Sequence, residues 1–425
     1  MKSSTKSSIS SSSTTTTIPE SEYIRIKRRL EQTWINAINQ YSKSLKNKST
    51  VSGASPPSIF IGHVGYPKVR VGPLVPYLYG NTKFLDTPEL WKGKGIDELV
   101  NYRLSLVRGM TQIKVEDITG RYIESLQELV MSRNSIDSEI KFEKNIEISS
   151  IYNNFNLDQN KINSNVLDIE HSPYGPSGEL KTFEISSTIN VDKDIEKYYY
   201  EHDLDSTKAV IELYCRGIEI SHINKIFSLG MLGINKKRRL VPTRWSISAV
   251  DNIISSYLSK KITTYDPIDD FFIFQYNHLG NYYSIILIPD DVWNFEMIEA
   301  WFDSNNKYYF GKDSEYGEKI SHYPKIAGAY FAAKLAVVEY LNKIKHRCSV
   351  LIFREIRHDY ITPLGVWQVR EGIRECLKSI PIKSDTLSQA IKFACNNFLI
   401  PASDWIQQSE LRRNYINQIR ISDFF

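Results

Sequence analysis

The sequence predicts an α+β fold in which helices and strands are mixed along one large body. Runs with helical spacing of apolar residues alternate with runs rich in β-branched and aromatic residues. The chain has 425 residues, of which 41 % are hydrophobic, so it is long enough to bury a sizeable core. No internal repeat is visible, and the order of the strands does not follow from these patterns.

The N-terminal segment is predicted to contain a tail and one helix. Residues 2–17 are almost entirely Ser, Thr and Lys, and such a composition buries too little apolar surface to offset the entropy of ordering. We therefore expect residues 1–18 to be disordered. Apolar residues at helical spacing beside a basic face predict an amphipathic helix over 21–45, followed by a linker to residue 54.

Two consecutive domains are predicted to follow, at 55–265 and 266–405. A Ser248 followed three residues later by Asp251 resembles a capping box that would begin a helix of the first domain. The other elements predicted there are a strand at 58–61, helices at 97–108 and 115–131, a surface insertion at about 144–165 and one or two helices in 206–229.

The second domain is predicted to open with a hairpin. Two β-rich runs are separated by a short polar stretch that suits a turn, and a helix rich in small residues comes later. The predicted elements are strands at 271–276, 282–288 and 348–353, helices at 326–344, 366–378 and 388–398, and a C-terminal tail at 406–425.

Composition excludes several classes of protein. The formal charge is only +4, with 53 basic and 49 acidic residues, so nucleic-acid binding would have to rest on a local patch. The four cysteines are widely spaced without a CxxC pair, which suits reduced thiols and gives no support for a zinc ribbon. No signal peptide and no apolar run of the roughly 18 residues that span a bilayer is visible, so we expect a cytoplasmic protein without a membrane partner.

The last eight residues, QIRISDFF, carry a docking motif. Gln418, Ile421 and the pair Phe424 and Phe425 have the spacing of the PIP motif, with which proteins dock on the sliding clamp PCNA. A single tight helical turn would group the three apolar side chains, while the Gln418 amide both donates and accepts hydrogen bonds. We therefore expect the clamp as a partner, with the polar stretch 407–414 as a tether. The alternative is that the terminal aromatics pack on the protein's own core.

Several Pro-, Gly- and Trp-rich strings together resemble the Nre family of archaeal DNA repair proteins. They are SPPSIFIGHVGYPKVRVGPLVP at 55–76, SPYGPSG at 172–178, RRLVPTRWSISAVD at 238–251, YPKIAGAYFAAK at 323–334 and REIRHDYITPLGVWQVRE at 354–371. The resemblance implies a role in DNA damage repair with the clamp as partner, and hence association with the nucleoid through the clamp. It supplies no known reaction.

The same resemblance bears on cofactors. Many family members begin with a short cysteine-rich, zinc-binding segment before the SPPS string, and this chain has a Ser/Thr tail and a predicted helix there. We therefore expect no zinc site, and no other cofactor is evident.

Two basic elements are candidate DNA contacts. Cations of this kind bind phosphates, and Trp245 could stack on a base. A run of charges is also typical of a solvated face, and Arg244 could instead pair with a core carboxylate. The residues of the first element are Lys236, Lys237, Arg238, Arg239, Arg244 and Trp245.

The second element is the Gly-rich loop 62–73, which brings Lys68 and Arg70 beside flexible backbone that could cradle an anion. It does not match a Walker A or dinucleotide pattern, and a tight structural turn is the alternative. Arg354 and Arg357 are further candidates because they lie at the end of a predicted strand, with ion pairing to Glu355 or Glu371 as the alternative.

Catalysis is left open by the sequence. Asp168, Glu179 and Lys181 have a spacing loosely like that of restriction-type nucleases, but such spacings arise often by chance, so we predict no metal site. The leading hypothesis is a clamp-tethered DNA repair factor with a DNA-binding α+β body. The alternatives are a metal-dependent repair nuclease and an adaptor on the clamp that does not touch DNA.

Overall fold

The computed structural model describes residues 49–146, 175–303, 306–317, 323–360 and 364–417, together with Asn36. Helices and mixed sheets are both extensive in it, so the predicted α+β class is confirmed. The predicted N-terminal tail, nearly all of the predicted N-terminal helix, most of the insertion at 144–165 and the clamp peptide at 418–425 lie outside the described residues.

A six-stranded sheet forms the first half of the body. Its strands are β1 (Thr50–Ser55), β2 (Ile59–Ile61), β3 (Lys68–Pro76), β4 (Leu106–Lys114), β5 (Ile136–Phe142) and β6 (Ser177–Ile185). They lie in the order β1-β5-β6-β4-β3-β2, and only the pair of β4 and β6 is parallel. β3 and β4 approach closely at Gly72, where an added Cβ would lie 1.7 Å from the carbonyl oxygen of Gly109. Glycine at that position is therefore required by packing.

Helices cover this sheet and connect it to the second half. They are α1 (Ile96–Leu104), α2 (Arg121–Met131), α3 (Lys193–Tyr200), α4 (Ser206–Cys215), α5 (Ile220–Ser228) and α6 (Thr243–Ile262). One or two helices were expected in 206–229, and two are present, α4 and α5. The helices predicted at 97–108 and 115–131 are shorter than expected, because the chain enters β4 at Leu106 and turns before Arg121.

The predicted capping box at Ser248 is wrong. α6 begins at Thr243, directly after Pro242, so Ser248 lies inside the helix. A proline before the first turn suits a helix start because its φ is fixed and it needs no amide donor. Asp251 is completely buried and binds Arg370 instead of capping a helix.

A second six-stranded sheet dominates the rest of the chain. In chain order the strands are β7 (Asp266–Pro267), β8 (Phe271–His278), β9 (Asn281–Ile288), β10 (Asn294–Phe302), β11 (Tyr308–Tyr316), β12 (His346–Arg347), β13 (Ser349–Ile356) and β14 (Ile382–Ser384). The sheet has the order β11-β10-β13-β9-β8-β14, with only β10 and β13 parallel, while β7 and β12 form a separate pair. The predicted hairpin is confirmed as β8 and β9, joined through Leu279 and Gly280 at positive φ.

The helices of the second half are α7 (Ala327–Ile344), α8 (Trp367–Cys376), α9 (Leu387–Ala394), α10 (Ala402–Gln408) and α11 (Glu410–Asn417). Small buried residues of α7, among them Ala332 and Ala336, let this helix pack closely against α6 and α8. The largest core extends from Ile59 to Leu377 and includes residues of both predicted domains. Within the described residues no helix is both long and apolar enough to cross a bilayer.

The stretch predicted as a polar tether is helical. Trp405 of α10 and Leu411 of α11 are buried against the second sheet. The buried carboxylate of Glu296 accepts hydrogen bonds from the Ser409 hydroxyl at 2.6 Å and from the backbone amides of Glu410 and Leu411 at 2.8 and 3.1 Å. These two apolar anchors and one carboxylate fold a segment whose composition is mostly polar.

Candidate functional site

A cavity of about 710 Å³ lies between the first sheet and helices α5, α6 and α8. Its walls also include the loop after β2 and the beginning of α8, so elements far apart in the sequence form it together. The volume falls within the roughly 300–1,000 Å³ of small-molecule sites in proteins. It is therefore large enough for a ligand of nucleotide size.

The Gly-rich loop is held beside the start of α6. The backbone amide of Ile61 donates to the Thr243 hydroxyl at 2.9 Å, and the amide of Gly62 donates to the carbonyl of Arg70 at 2.8 Å. Gly65 adopts a φ of +87°, which favours glycine, as the loop turns back into β3. The loop and the first turn of α6 thus form one side of the cavity together.

Two exposed aromatic rings lie next to this wall. Tyr66 follows the cavity-lining Gly65, and Trp245 follows the cavity-lining Arg244. Their ring centroids are 5.1 Å apart, and the two side chains are 47 % and 44 % exposed. Exposed aromatic faces of this kind can stack on nucleic-acid bases.

The cavity wall carries a large excess of positive charge. Among the described lining residues the only carboxylate is that of Asp86. Anions interact more strongly with cations in such a partly desolvated recess than on an open surface, because water screens them less. The cationic lining residues are Arg70, Arg103, Arg108, Lys225, Arg244 and Arg370.

Asp86 holds two of these cations in place. Lys225 Nζ lies 3.2 Å from its carboxylate and donates to its carbonyl oxygen at 2.8 Å, while Arg103 Nη1 lies 3.9 Å from the carboxylate. Burial by itself would raise the pKa of Asp86, but Lys225 and Arg103 outweigh it and lower that pKa. The carboxylate therefore stays charged and keeps both cations ordered at the cavity wall.

Arg370 and Arg108 are fixed in other ways. Arg370 Nη1 lies 2.7 Å from the carboxylate of Asp251, whose pKa burial raises to about 6 despite the neighbouring cation. Arg108 donates to the carbonyl of Gly175 at 3.2 Å, and its guanidinium lies 5.3 Å from the centre of the Phe60 ring. Cations held in this way lose little conformational entropy when an anion binds.

An acceptor group also lines the cavity. Asn224 of α5 is only 6 % exposed, and its side-chain oxygen has no hydrogen-bond partner among the described residues. A buried polar atom without a partner costs free energy, so a ligand that donates a hydrogen bond there would be stabilised. The site therefore suits a ligand that has both a negative group and a donor group.

Family models match nearly the whole chain. The model described as the N-terminal region of archaeal Nre matches residues 32–306, and the model described as the C-terminal region matches residues 315–424. The chain belongs to the Nre family. The resemblance carried by the five sequence strings is thereby confirmed.

Curated Nre relatives are similar over most of their length. DNA repair protein NreA of Archaeoglobus fulgidus is 34 % identical over 392 residues, which cover 91 % of this chain and 93 % of the relative. DNA repair protein NreB of the same organism is 34 % identical over 85 % of this chain and 88 % of the relative. DNA repair protein NreA of Haloferax volcanii is 28 % identical over 88 % and 89 %.

The cavity of this Nre protein is lined by residues from both regions that the family models match, and some of these residues are predicted DNA contacts. Arg70 and Arg244 line it, and Trp245 lies beside it. Lys68 is exposed at the start of β3. Three other predicted cations are exposed on the Nre body but are not among the described lining residues. They are Lys236, Lys237 and Arg239.

Two predicted contacts face the interior instead. Arg238 is 8 % exposed and donates to three backbone carbonyls, those of Gly233, Tyr199 and Glu201. Arg354 is 2 % exposed and pairs with the buried carboxylate of Glu299, a partner that the sequence does not indicate. Both arginines have structural partners, so we exclude them from the proposed DNA contacts.

Arg357 and the nuclease-like residues lie elsewhere. Arg357 is half-buried, pairs with Glu355 at 2.7 Å as the alternative interpretation anticipated, and lies over the ring of Tyr282. Glu179 and Lys181 are exposed on β6, whereas Asp168 falls outside the described residues. Among the residues that the structure describes, no group of three His, Cys, Asp or Glu side chains is placed to hold a metal ion.

Sequence reasoning missed most of the cavity of this Nre protein. Arg103, Arg108 and Lys225 lie on three separate elements, and no run of neighbouring charges marks any of them in the sequence. Arg370 and Tyr66 lie within the strings that resemble the Nre family, and this was the one available signal for them.

Proposed function

We propose that this Nre protein is a DNA repair factor that docks on the sliding clamp PCNA through its C-terminal peptide and contacts DNA at the mouth of its cationic cavity. The repair role is supported by the names of the three curated relatives described above, each of which is called a DNA repair protein. DNA contact is carried by one observation, the six cations that surround a recess with two exposed aromatic rings beside it.

The clamp contact rests on Gln418, Ile421, Phe424 and Phe425. Burying three apolar side chains is worth roughly 2 kcal/mol each, and ordering a peptide on binding costs about 2–5 kcal/mol. Main-chain hydrogen bonds to the clamp must therefore add to these contacts for docking at micromolar affinity, which needs about 8 kcal/mol. α11 ends at Asn417, directly before this peptide, and the Glu296 carboxylate fixes its first turn. The chain is therefore attached to the body at Glu410 and Leu411, a few residues before the peptide begins.

The DNA contact rests on the cations nearest the aromatic pair. Arg70 is exposed on β3, Arg244 is half-buried in the first turn of α6, and Lys68 adds an exposed cation two residues before Arg70. These groups would bind phosphates while Trp245 and Tyr66 stack on unpaired bases. The exposed cations at 236, 237 and 239 could extend the phosphate contact, each as a point charge on the surface.

The clamp half of the proposal is tested with the double variant Phe424→Ala with Phe425→Ala. Removing two aromatic anchors at roughly 2 kcal/mol each should weaken clamp binding by about a thousandfold, which isothermal titration detects as loss of a micromolar complex. Phe393→Ala is the matched control, because it removes an exposed aromatic side chain of α9, outside the peptide, and should leave clamp binding unchanged. Equal affinities of wild type and double variant would refute clamp docking, and a markedly lower melting temperature would show that the aromatics pack on the body.

The DNA half is tested by the salt dependence of binding. Replacing Arg70 and Arg244 with Ala should weaken binding of single-stranded DNA and reduce the slope of log affinity against log salt by about one unit per lost phosphate contact. Replacing Lys236 and Lys237 removes the same number of charges outside the cavity and should change the affinity less. If wild type shows no salt-dependent DNA binding, the protein is an adaptor on the clamp.

A further inference from the structure

The shape of the cavity limits which part of a DNA molecule can enter it. Its volume of about 710 Å³ equals that of a sphere about 11 Å across, enclosed by a sheet on one side and by helices on the other. A base inside a duplex cannot reach such a recess without leaving the stack. An unpaired nucleotide at the end of a strand is free to enter.

We propose that the cavity binds the phosphorylated terminal nucleotide of an unpaired DNA strand. This inference rests on the proposed function, because it names the part of the DNA that the cavity recognises. The terminal phosphate lies among the buried cations, the terminal base faces α5, and the next base stacks on the aromatic pair at the mouth.

The charge of the wall selects a terminal phosphate over an internal one. A phosphate monoester carries about −1.5 to −2 charges at pH 7, whereas an internal phosphodiester carries only one. Among its described lining residues the cavity has six cations and one carboxylate, that of Asp86. Asp251 and Glu371 pair with Arg370 and Glu89 lies near it, and an excess of two positive charges remains when these three carboxylates are counted as well. Such an excess favours the more highly charged group.

In its present orientation, Asn224 offers a hydrogen-bond acceptor that a simple anion would not use. Its buried side-chain oxygen accepts hydrogen bonds and would repel a phosphate oxygen, yet it lines the same cavity as the arginines. The exocyclic amino groups of adenine, cytosine and guanine are donors that such an oxygen can accept from. A nucleotide with one of these bases carries both groups, the anionic phosphate for the cations and the amino donor for Asn224.

The aromatic pair explains why the nucleotide belongs to a strand. Tyr66 and Trp245 are about half exposed next to the cavity, so they can stack on the base that follows the bound one. A free mononucleotide has no second base and would leave these rings uncovered. Binding should therefore be tighter for a phosphorylated oligonucleotide than for the mononucleotide.

The test measures fluorescence anisotropy of the full-length protein with single strands of one sequence, about 12 nucleotides long, each labelled internally. One strand carries a 5′-phosphate, one a 3′-phosphate and one only hydroxyl ends. One of the two phosphorylated strands should bind at least about tenfold more tightly than the hydroxyl strand. Unlabelled dAMP and inorganic phosphate serve as competitors.

Arg108→Gln should reduce this preference to less than about threefold. Arg108 also contacts Phe60 and Gly175, so Arg244→Gln, in the half-buried first turn of α6, is a second variant and should have the same effect. A thermal melting curve of each variant checks that it is folded. Lys392→Gln, an exposed cation of α9 that does not line the cavity, is the matched control and should keep the preference.

Equal affinity for all three strands would overturn the inference while leaving the proposed DNA contact intact. Competition by dAMP as strong as that by the phosphorylated strand would show that the ligand is a free nucleotide and would overturn the assignment to a DNA end. Failure of every strand to bind would instead contradict the proposed DNA contact itself.

Discussion

Arg354→Met should unfold the protein more easily without weakening DNA binding by the molecules that remain folded. The Arg354 side chain is almost completely buried and donates to the carboxylate of Glu299, to the Asn281 oxygen at 2.9 and 2.6 Å, and to the Gln368 oxygen at 3.3 Å. Methionine would leave the Glu299 carboxylate, which is fully buried, without its cation. Removing one partner of such a buried pair costs about 3–5 kcal/mol.

The loss in the free energy of unfolding is measured by urea denaturation, with tryptophan fluorescence as the signal of unfolding. The double variant Arg354→Met with Glu299→Leu should be more stable than Arg354→Met, because it removes the uncompensated charge of Glu299. It should remain less stable than wild type, because the buried Asn281 oxygen loses the two hydrogen bonds that Arg354 donates to it. Arg70→Met, which removes an exposed arginine, should change the free energy of unfolding by no more than about 0.5 kcal/mol but should lower DNA affinity. A loss below about 1 kcal/mol for Arg354→Met, or weaker DNA binding by its folded form, would refute this reasoning.

Three further predictions test the fold. Burial lowers the pKa of His222 from its usual 6.5 to about 4, so between these pH values the unfolded chain binds a proton that the folded chain does not bind. The free energy of unfolding should therefore fall by about 3 kcal/mol as the pH drops from 6.5 to 4. In His222→Gln the melting temperature should depend less on pH over this range. Gly72→Ala should destabilise the first sheet by at least about 2 kcal/mol because its Cβ would overlap the Gly109 carbonyl, whereas Gly95→Ala, which meets no atom within 4 Å, should be tolerated in the same denaturation assay. Glu296→Ala should speed amide hydrogen exchange at the start of α11, since two amides there lose their acceptor; unchanged protection would mean that packing alone holds the helix.

Local patterns were sufficient for several features. The hairpin of β8 and β9 follows from two β-rich runs around a polar turn, and α7 follows from a run of small and apolar residues at helical spacing. The strings that resemble the Nre family were sufficient to identify the family from the sequence alone. The clamp peptide is also a purely local pattern, and it stays a prediction because it lies outside the described residues.

Local patterns failed where a distant partner decides the outcome. Arg238 and Arg239 are neighbours in one basic run, but Arg238 is buried and donates hydrogen bonds to three backbone carbonyls, while Arg239 is exposed. The polar segment at 407–414 reads as a tether, but it is folded because Glu296, from a strand far earlier in the chain, caps its helix.

The sequence by itself determined the α+β class and the family, and it predicted a docking motif at residues 418–425, because each depends on spacing along a short stretch of chain. Only the tertiary structure decided which cations form a site. Arg103, Arg108, Lys225 and Arg370 converge because strand order and helix packing bring four separate elements to one cavity. Those arrangements depend on contacts between residues far apart in the chain, which no local pattern of residue types encodes.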